Sequence, residues 1–142
     1  MDTITEMLKA HPKRPHGHFE RIAQCLAACT ECEQICIACA DACLEEDEVA
    51  ALRQCIRIDQ DCADLCAATA RMIQRQAHPD AALWQATLLA CAQACRSCSA
   101  ECMKHESAHA HCRLCREACD RCERTCMELL RALPEGGAEI TH

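Results

Sequence analysis

The chain has 142 residues and a formal net charge of −7; 18 residues are cysteine, and aromatic side chains make up only 1%. This length is that of a single domain, so we predict one domain over residues 1–142. The negative charge argues against nucleic-acid binding, which needs a basic surface to neutralise phosphates. So much cysteine is typical of a disulfide-bonded secreted domain, a metal–thiolate protein or an iron–sulfur protein.

Residues 1–17 form an N-terminal extension with no apolar run of signal-peptide length and no small-residue cleavage site. We also find no uninterrupted apolar stretch that would cross a bilayer. We therefore expect a cytoplasmic protein without membrane contact, in which thiols stay reduced. Within the extension, the segment TITEMLKA before Pro12 predicts a short amphipathic helix lying across the domain.

Residues 18–133 contain one helix breaker, Pro79, and are rich in Ala, Glu, Gln, Arg and Leu, which are strong helix formers. This composition predicts an all-α fold. Asp47 and Ser107 are candidate N-caps, and Pro79 stands where a helix can begin. Short connections make sequential helices antiparallel, which predicts an up-down-up-down four-helix bundle with a flexible tail at 134–142. The four predicted helices are 18–45, 47–76, 79–105 and 108–133.

Cysteines recur every three or four residues along each predicted helix. Between Cys25 and Cys43 the intervals are 4, 3, 4, 3 and 4, which at about 100° per residue places six thiols on one helix face. The other faces are charged or small, so the four thiol faces converge in the bundle interior. The predicted metal ligands are Cys25, Cys29, Cys32, Cys36, Cys39, Cys43, Cys55, Cys62, Cys66, Cys91, Cys95, Cys98, Cys102, Cys112, Cys115, Cys119, Cys122 and Cys126.

Neighbouring thiols on one helix face are too far apart for disulfides. Residues three or four apart have Cβ atoms about 5–6 Å apart, whereas a disulfide needs about 3.5–4.5 Å. If the cysteines served only as small hydrophobic residues, the core would be poorly filled and prone to oxidation. Metal binding is therefore the preferred interpretation.

Thiolates select Cu(I), Zn(II) and iron–sulfur clusters. No cysteine precedes proline as in common iron–sulfur loops, and glycine-containing zinc knuckles are absent. Cu(I) accepts two or three thiolates, and one sulfur can bridge two ions. The chain has eight CxxxC pairs, with Cys55 and Cys112 in addition. If each ion binds two sulfurs and each sulfur bridges two ions, we expect about one Cu(I) per thiol. An iron–sulfur or thiol redox carrier and a zinc-stabilised interaction module stay open as alternatives. We expect no enzyme, since no activated nucleophile or acid–base pair is evident.

The two ends of the predicted bundle differ in composition. One end is apolar and predicted to be closed, with Phe19, Ile22, Ile73, Trp84, Leu88, Leu129, Leu130 and Leu133. At the other end, His105, His109 and His111 follow or flank the thiol faces and are predicted Cu(I) ligands at an open mouth. Asp59 and Thr69 stand where the second helix would otherwise carry thiols. Whether Asp59, Asp61 or Met103 bind metal stays open.

CxxxC pairs lining a four-helix bundle over residues 18–133 resemble the cytosolic branch of the bacterial copper storage proteins. The resemblance implies multinuclear Cu(I) binding inside the bundle, storage or detoxification in place of catalysis, and a homotetramer. It also agrees with histidines at an open end. A metallochaperone or a small-molecule chelator would then be the partner that exchanges copper ions with the chain.

Overall fold

The computed structural model describes residues 2–13 and 18–134, in which every regular element is helical. Of the tail predicted at 134–142, residues 135–142 lie outside the described residues. TITEMLKA forms the short helix that its pattern predicts. The elements are α1 (Thr3–Ala10), α2 (Phe19–Leu44), a 3₁₀ turn (Val49–Leu52), α3 (Arg53–Gln74), α4 (Ala81–Met103) and α5 (Ala110–Ala132).

Helices α2 to α5 form the predicted antiparallel four-helix bundle. Helix α2 packs on α3 and α5, and α4 packs on the same two helices from the opposite corner. Each helix thus has two principal neighbours, and four faces point to one common axis. The all-α fold predicted from the sequence is confirmed. Helices α2, α4 and α5 begin and end within two residues of their expected bounds, whereas α3 begins six residues later than predicted.

Helix α4 is capped close to where Pro79 suggested a start. The Asp80 side chain accepts a hydrogen bond from the Leu83 backbone N–H at 3.1 Å, so the helix begins at Ala81. Helix α1 is capped in the same way, because the Asp2 carboxylate accepts a hydrogen bond from Thr5 N–H at 2.8 Å. Each cap satisfies one of the amide groups that a helix start leaves unpaired.

The predicted N-caps Asp47 and Ser107 are wrong. After α2 the chain makes a 3₁₀ turn that buries Leu52 completely, and α3 begins only at Arg53. Before α5 the residue with extended backbone is His109, which makes no side-chain cap. Leu52 is buried in the first turn and His109 in the second. Because of this burial, α3 begins after Asp47 and α5 begins after Ser107, so neither polar residue is an N-cap.

Helix α2 contains an 18-residue window with a mean hydropathy of 1.2, which is long and apolar enough to cross a bilayer by length and composition, although Glu31 and Glu33 interrupt it. Its hydropathy comes largely from cysteine and alanine. In the bundle the cysteine face is buried between α3 and α5. The apolar composition of α2 is therefore that of a helix buried in the core of the bundle.

The apolar end of the bundle is closed, as predicted. Ile22, Ile73, Trp84, Leu88, Leu129 and Leu133 are buried there, and Phe19 and Leu130 pack against them. Each fully buried side chain of this kind contributes about 1.5–3 kcal/mol. Helix α1 adds the buried side chain of Leu8, and its Lys9 ammonium lies 5.9 Å from the centroid of the Phe19 ring.

Candidate metal centre

The bundle axis is lined with sulfur. All 18 cysteines lie in the described part of the chain, none is more than 1% exposed, and all are free thiols. Six come from α2, three from α3, four from α4 and five from α5. We call this lining the thiol tube.

On one side of the thiol tube, cysteines of α2 and α5 face each other in pairs. Each step of three or four residues forward along α2 is matched by an equal step backward along α5, as expected for antiparallel helices with the same face inward. The Sγ–Sγ distances are 3.7 Å for Cys25–Cys126, 3.6 Å for Cys29–Cys122, 3.8 Å for Cys32–Cys119 and 3.7 Å for Cys36–Cys115. We call this series the α2–α5 ladder.

On the other side, α3 and α4 form a second series, the α3–α4 ladder, with one carboxyl in place of a thiol. Its Sγ–Sγ distances are 3.9 Å for Cys66–Cys91, 3.8 Å for Cys62–Cys95 and 3.9 Å for Cys55–Cys102. Between the last two pairs, the Sγ of Cys98 lies 3.1 Å from Oδ1 of Asp59. Asp59 thus stands where the cysteine spacing predicts a thiol on α3, and its carboxyl faces into the tube.

The two ladders are joined into one network. Cys32 lies 3.9 Å from Cys62, and Cys66 lies 3.8 Å from Cys122, each measured between Sγ atoms of opposite ladders. At least four sets of four thiols have all their sulfurs within 4.8 Å of one another, and several cysteines belong to two of these sets. These sets are Cys29/Cys91/Cys122/Cys126, Cys32/Cys66/Cys95/Cys122, Cys32/Cys36/Cys62/Cys119 and Cys36/Cys98/Cys115/Cys119.

The sulfur spacing suits metal binding. Metal–sulfur bonds of about 2.3 Å place the sulfurs of one tetrahedral site about 3.8 Å apart, whereas a disulfide has its sulfurs about 2.05 Å apart. The observed 3.6 to 4.0 Å matches the first value. A thiol tube with these spacings can receive ions with little movement of its helices.

Asp59 is completely buried at the centre of the tube. Its Oδ1 lies 3.1 Å from Cys98 Sγ and 3.2 Å from Cys115 Sγ. Removal from water, together with the neighbouring thiol of Cys115, raises the pKa of Asp59 to about 9. The carboxyl is therefore uncharged at neutral pH, which spares the apo bundle an isolated buried charge. Thr69 is also buried, but its hydroxyl donates to Leu65 O at 2.7 Å within α3.

The open end holds a mixed cluster of three thiols and one imidazole. The ligand atoms of Cys39, Cys43, His111 and Cys112 all lie within 4.8 Å of one another, and we call this set the mouth cluster. Nδ1 of His111 is 3.4 Å from Cys39 Sγ and 3.7 Å from Cys112 Sγ. Burial raises the pKa of the Cys43 thiol to about 12 and also raises the pKa of Cys112. Both thiols thus hold their protons until a cation replaces them.

Glu46 orients the imidazole of the mouth cluster. Nε2 of His111 donates to Glu46 Oε2 at 2.8 Å, and this hydrogen bond holds the pKa of Glu46 below its usual range. With the proton on Nε2, Nδ1 offers its lone pair to an ion among the thiols. A carboxylate behind a metal-binding histidine is a common way of orienting the ring and raising its basicity.

The other two predicted histidine ligands contact carboxylates. His109 lies between Glu46 Oε2 and Glu48 Oε1, each 2.9 Å from a ring nitrogen, and it stacks on His111 with a centroid distance of 5.3 Å. Nε2 of His105 lies 3.1 Å from Glu101 Oε2. Of the three predicted histidines, His111 is the one with hydrogen-bonding contacts to thiols in the described structure.

Two further candidates from the sequence lie outside the tube. Asp61 pairs with Arg57 on the surface of α3 at 3.1 Å, and Met103 is 56% exposed at the end of α4. Sequence reasoning missed Glu46, although it lies in an acidic run only a few residues after Cys43. The acidic turn and the three histidines are predicted at the same end of the bundle, and this proximity could have indicated a carboxylate–histidine contact.

The comparisons with known proteins agree with this geometry. The family model described as copper storage protein matches residues 18–131. The copper storage protein Ccsp of Streptomyces lividans, solved with 10 copper equivalents, is 47% identical with a TM-score of 0.90, covering 92% of this chain and 100% of that chain. Apo-Csp3 of Bacillus subtilis is 33% identical with a TM-score of 0.66, covering 76% and 97% of the two chains. The curated cysteine-rich protein YhjQ of Bacillus subtilis is 36% identical over 109 residues, which are 77% of this chain and 92% of YhjQ. The chain therefore belongs to the copper storage protein family, as its cysteine pattern predicted.

Proposed function

We propose that the chain stores Cu(I) ions by binding them to the thiolates of the thiol tube, with a capacity of about one ion per cysteine. The observation that carries the proposal is the continuity of the tube. All eighteen thiols are buried, and the sulfurs lie at metal-binding spacing along the two ladders and across them. An isolated zinc or iron–sulfur site would need only four of them.

Charge favours a monovalent ion. Each Cu⁺ that replaces one thiol proton leaves the buried interior neutral. A divalent ion held by four thiolates would leave two negative charges in the same volume, and burial of uncompensated charge is costly. Sulfur bridging lets neighbouring ions share the thiols that belong to two of the four-thiol sets. Related structures support the choice of ion, since one is described as Cu(I)-bound BsCsp3.

Copper ions enter and leave through the mouth cluster in this proposal. His111 is the most exposed of its four members, with a side chain 24% exposed, whereas the thiols behind it are buried. Cys39, Cys43 and Cys112 would then receive ions before Cys25 and Cys29 at the closed end. His105 and His109 would become ligands only when their contacts with Glu101, Glu46 and Glu48 break.

The proposal extends to location and assembly. A Streptomyces lividans relative, 50% identical, is described as a cytosolic copper storage protein, so we place this chain in the cytoplasm. Within residues 2–13 and 18–134, eight large apolar side chains are exposed, among them Ile37, Leu83 and Leu89, and these are available for the contacts of the homotetramer that the family resemblance implies. A metallochaperone or small-molecule chelator would exchange the ions. No catalytic role is proposed.

Anaerobic titration of the reduced chain with Cu(I), in competition with a chromophoric Cu(I) chelator, tests this function. We expect stoichiometric uptake of about eighteen ions per chain with little change in helicity. Saturation at four ions or fewer would contradict storage. A parallel titration with Zn²⁺ is the control, and tight binding of zinc that alone keeps the chain folded would favour a zinc-stabilised module.

A further inference from the structure

The mouth cluster differs in chemistry from the rest of the thiol tube. Deeper four-thiol sets offer sulfur alone, whereas the mouth cluster combines three thiols with Nδ1 of His111. Imidazole nitrogen is a good ligand for Cu(II), and thiols are both ligands for Cu(I) and two-electron reductants in pairs. An ion arriving from solvent in the oxidised state would meet this combination first.

We propose that the mouth cluster also reduces Cu(II) to Cu(I), with Cys39 and Cys112 as the electron donors. This activity rests on the proposed storage function, because the Cu(I) that it forms is the ion that the tube stores. The substrate is Cu²⁺ delivered as a free or weakly chelated ion. Neither the family description nor the related structures assign such a step to this chain.

The reaction balances as a two-electron oxidation of one thiol pair. The Sγ–H groups of Cys39 and Cys112 lose two protons and two electrons and form one S–S bond. Two Cu²⁺ ions each accept one electron and become Cu⁺. The protons leave through the mouth, and the two Cu⁺ ions move to the next thiols of the tube, such as Cys36 and Cys115. Each such stoichiometric reaction thus yields two stored ions and one disulfide.

The register of the α2–α5 ladder selects this pair. Three residues beyond Cys36 on α2 is Cys39, and three residues before Cys115 on α5 is Cys112, so these two residues form the next pair of the ladder after Cys36–Cys115 at 3.7 Å. Their sulfurs lie within 4.8 Å of one another in the reduced chain. A bond between two helices does not require either helix to unwind, whereas a Cys39–Cys43 disulfide would distort a helical turn.

His111 and Glu46 complete the arrangement. Nδ1 of His111 lies within 3.7 Å of both reacting thiols, so a Cu²⁺ ion bound there contacts its reductants directly. The contact between Nε2 and Oε2 of Glu46 at 2.8 Å fixes the orientation of the ring, so that Nδ1 faces the two thiols. His111 is therefore the residue that binds the substrate ion, and Glu46 is a positioning residue.

The test adds two equivalents of Cu²⁺ to the reduced, copper-free chain under anaerobic conditions. We expect the electron paramagnetic resonance signal of Cu²⁺ to disappear and the denatured thiol count to fall by two. After alkylation, peptide mass spectrometry should find the Cys39–Cys112 disulfide. Glu46→Gln should slow the reduction about tenfold, the usual scale for the loss of a hydrogen-bonded carboxylate behind a metal-binding histidine.

A matched pair of variants localises the reaction. Cys39→Ser/Cys112→Ser removes the ladder pair at the mouth, and Cys25→Ser/Cys126→Ser removes a ladder pair at the closed end. We expect the first variant to lose the fast reduction and the second to keep it, with circular dichroism confirming that both stay helical. Equal rates in both variants, or a disulfide elsewhere, would overturn the proposal. Normal Cu(I) uptake with unreduced Cu²⁺ would reject reduction alone, whereas failure of Cu(I) uptake would reject storage.

Discussion

Asp59 occupies in the α3–α4 ladder the position that Cys119 occupies in the α2–α5 ladder. Asp59 faces Cys98 at 3.1 Å, and Cys119 faces Cys32 at 3.8 Å. The surrounding sequences have the same spacing. Cysteines stand 4, 7 and 11 residues after Cys115, and after Cys55 the same three positions hold Asp59, Cys62 and Cys66. The bundle is therefore built from two similar helical hairpins, of which one carries a carboxyl in place of a thiol.

Replacement of that carboxyl should extend the tube. Asp59→Cys completes the α3–α4 ladder with a side chain of similar size, and we expect the Cu(I) capacity to rise by about one ion per chain. Titration against a Cu(I) chelator, together with a denatured thiol count, measures the change. Asp59→Ser is the matched control, because it removes the carboxyl without adding a thiol. An unchanged capacity in Asp59→Cys would show that this position lies outside the copper-binding network.

Asp59 should make the apo chain less stable as pH rises. Its pKa is about 9 in the folded state, above the ordinary value near 4 of an unfolded chain. The folded chain therefore binds the extra proton between these two values, and the stability associated with the neutral carboxyl is lost as pH rises from about 4 to about 9. The test compares the free energies of unfolding of Asp59→Asn and the native chain in urea at pH 5, 7 and 9. We expect the difference in favour of Asp59→Asn to grow with pH, by at most about 1.4 kcal/mol per pH unit. A pH-independent difference between the two chains would contradict the neutral carboxyl.

Cu(I) affinity should fall as pH falls. Burial raises the pKa of Cys43 to about 12 and also raises that of Cys112, so each ion bound by these thiols must displace protons at neutral pH. Competition against a chelator of known pH dependence at pH 6.5, 7.5 and 8.5 measures the trend. An affinity that is the same at all three values would mean that these thiols are already ionised in the copper-free chain.

His111 should control the rate of copper loading more than its extent. Its Nδ1 contacts Cys39 and Cys112 at the open end, but the storage capacity comes from the eighteen thiols and not from the ring. Stopped-flow mixing of Cu(I) with His111→Ala should show loading slowed about tenfold with a capacity within about one ion of the native chain. His11→Ala, next to the short helix α1 and remote in sequence from the mouth cluster, is the control. If both variants load at the native rate, copper enters elsewhere.

The thiol positions could be predicted from the sequence because one simple rule governs them. Spacings of three and four place side chains on one face of a helix, and each cysteine face was also the least polar face available. The closed end followed from the same rule, since Ile22, Ile73 and Leu129 continue the thiol faces. Whether the ligands form one continuous lining or several separate sites depends on which helices are paired, and the periodicity within one helix does not specify that pairing.

The errors have a different origin, because they concern residues whose environment is set by distant parts of the chain. Asp47 and Ser107 have good capping side chains, but burial of Leu52 and the carboxylates around His109 determine where α3 and α5 begin. Glu46 gains its role from His111, which is 65 residues away in the chain. Periodicity within one helix carries no information about such pairs.

The most direct test of the account is metal analysis of the chain after anaerobic loading with excess Cu(I) and removal of unbound copper, combined with a thiol count on the denatured protein. We expect about eighteen copper ions and eighteen free thiols per chain, with the copper-free chain already helical. Four ions or fewer per chain, with the full set of thiols intact, would contradict the claim that the thiol tube is a copper store.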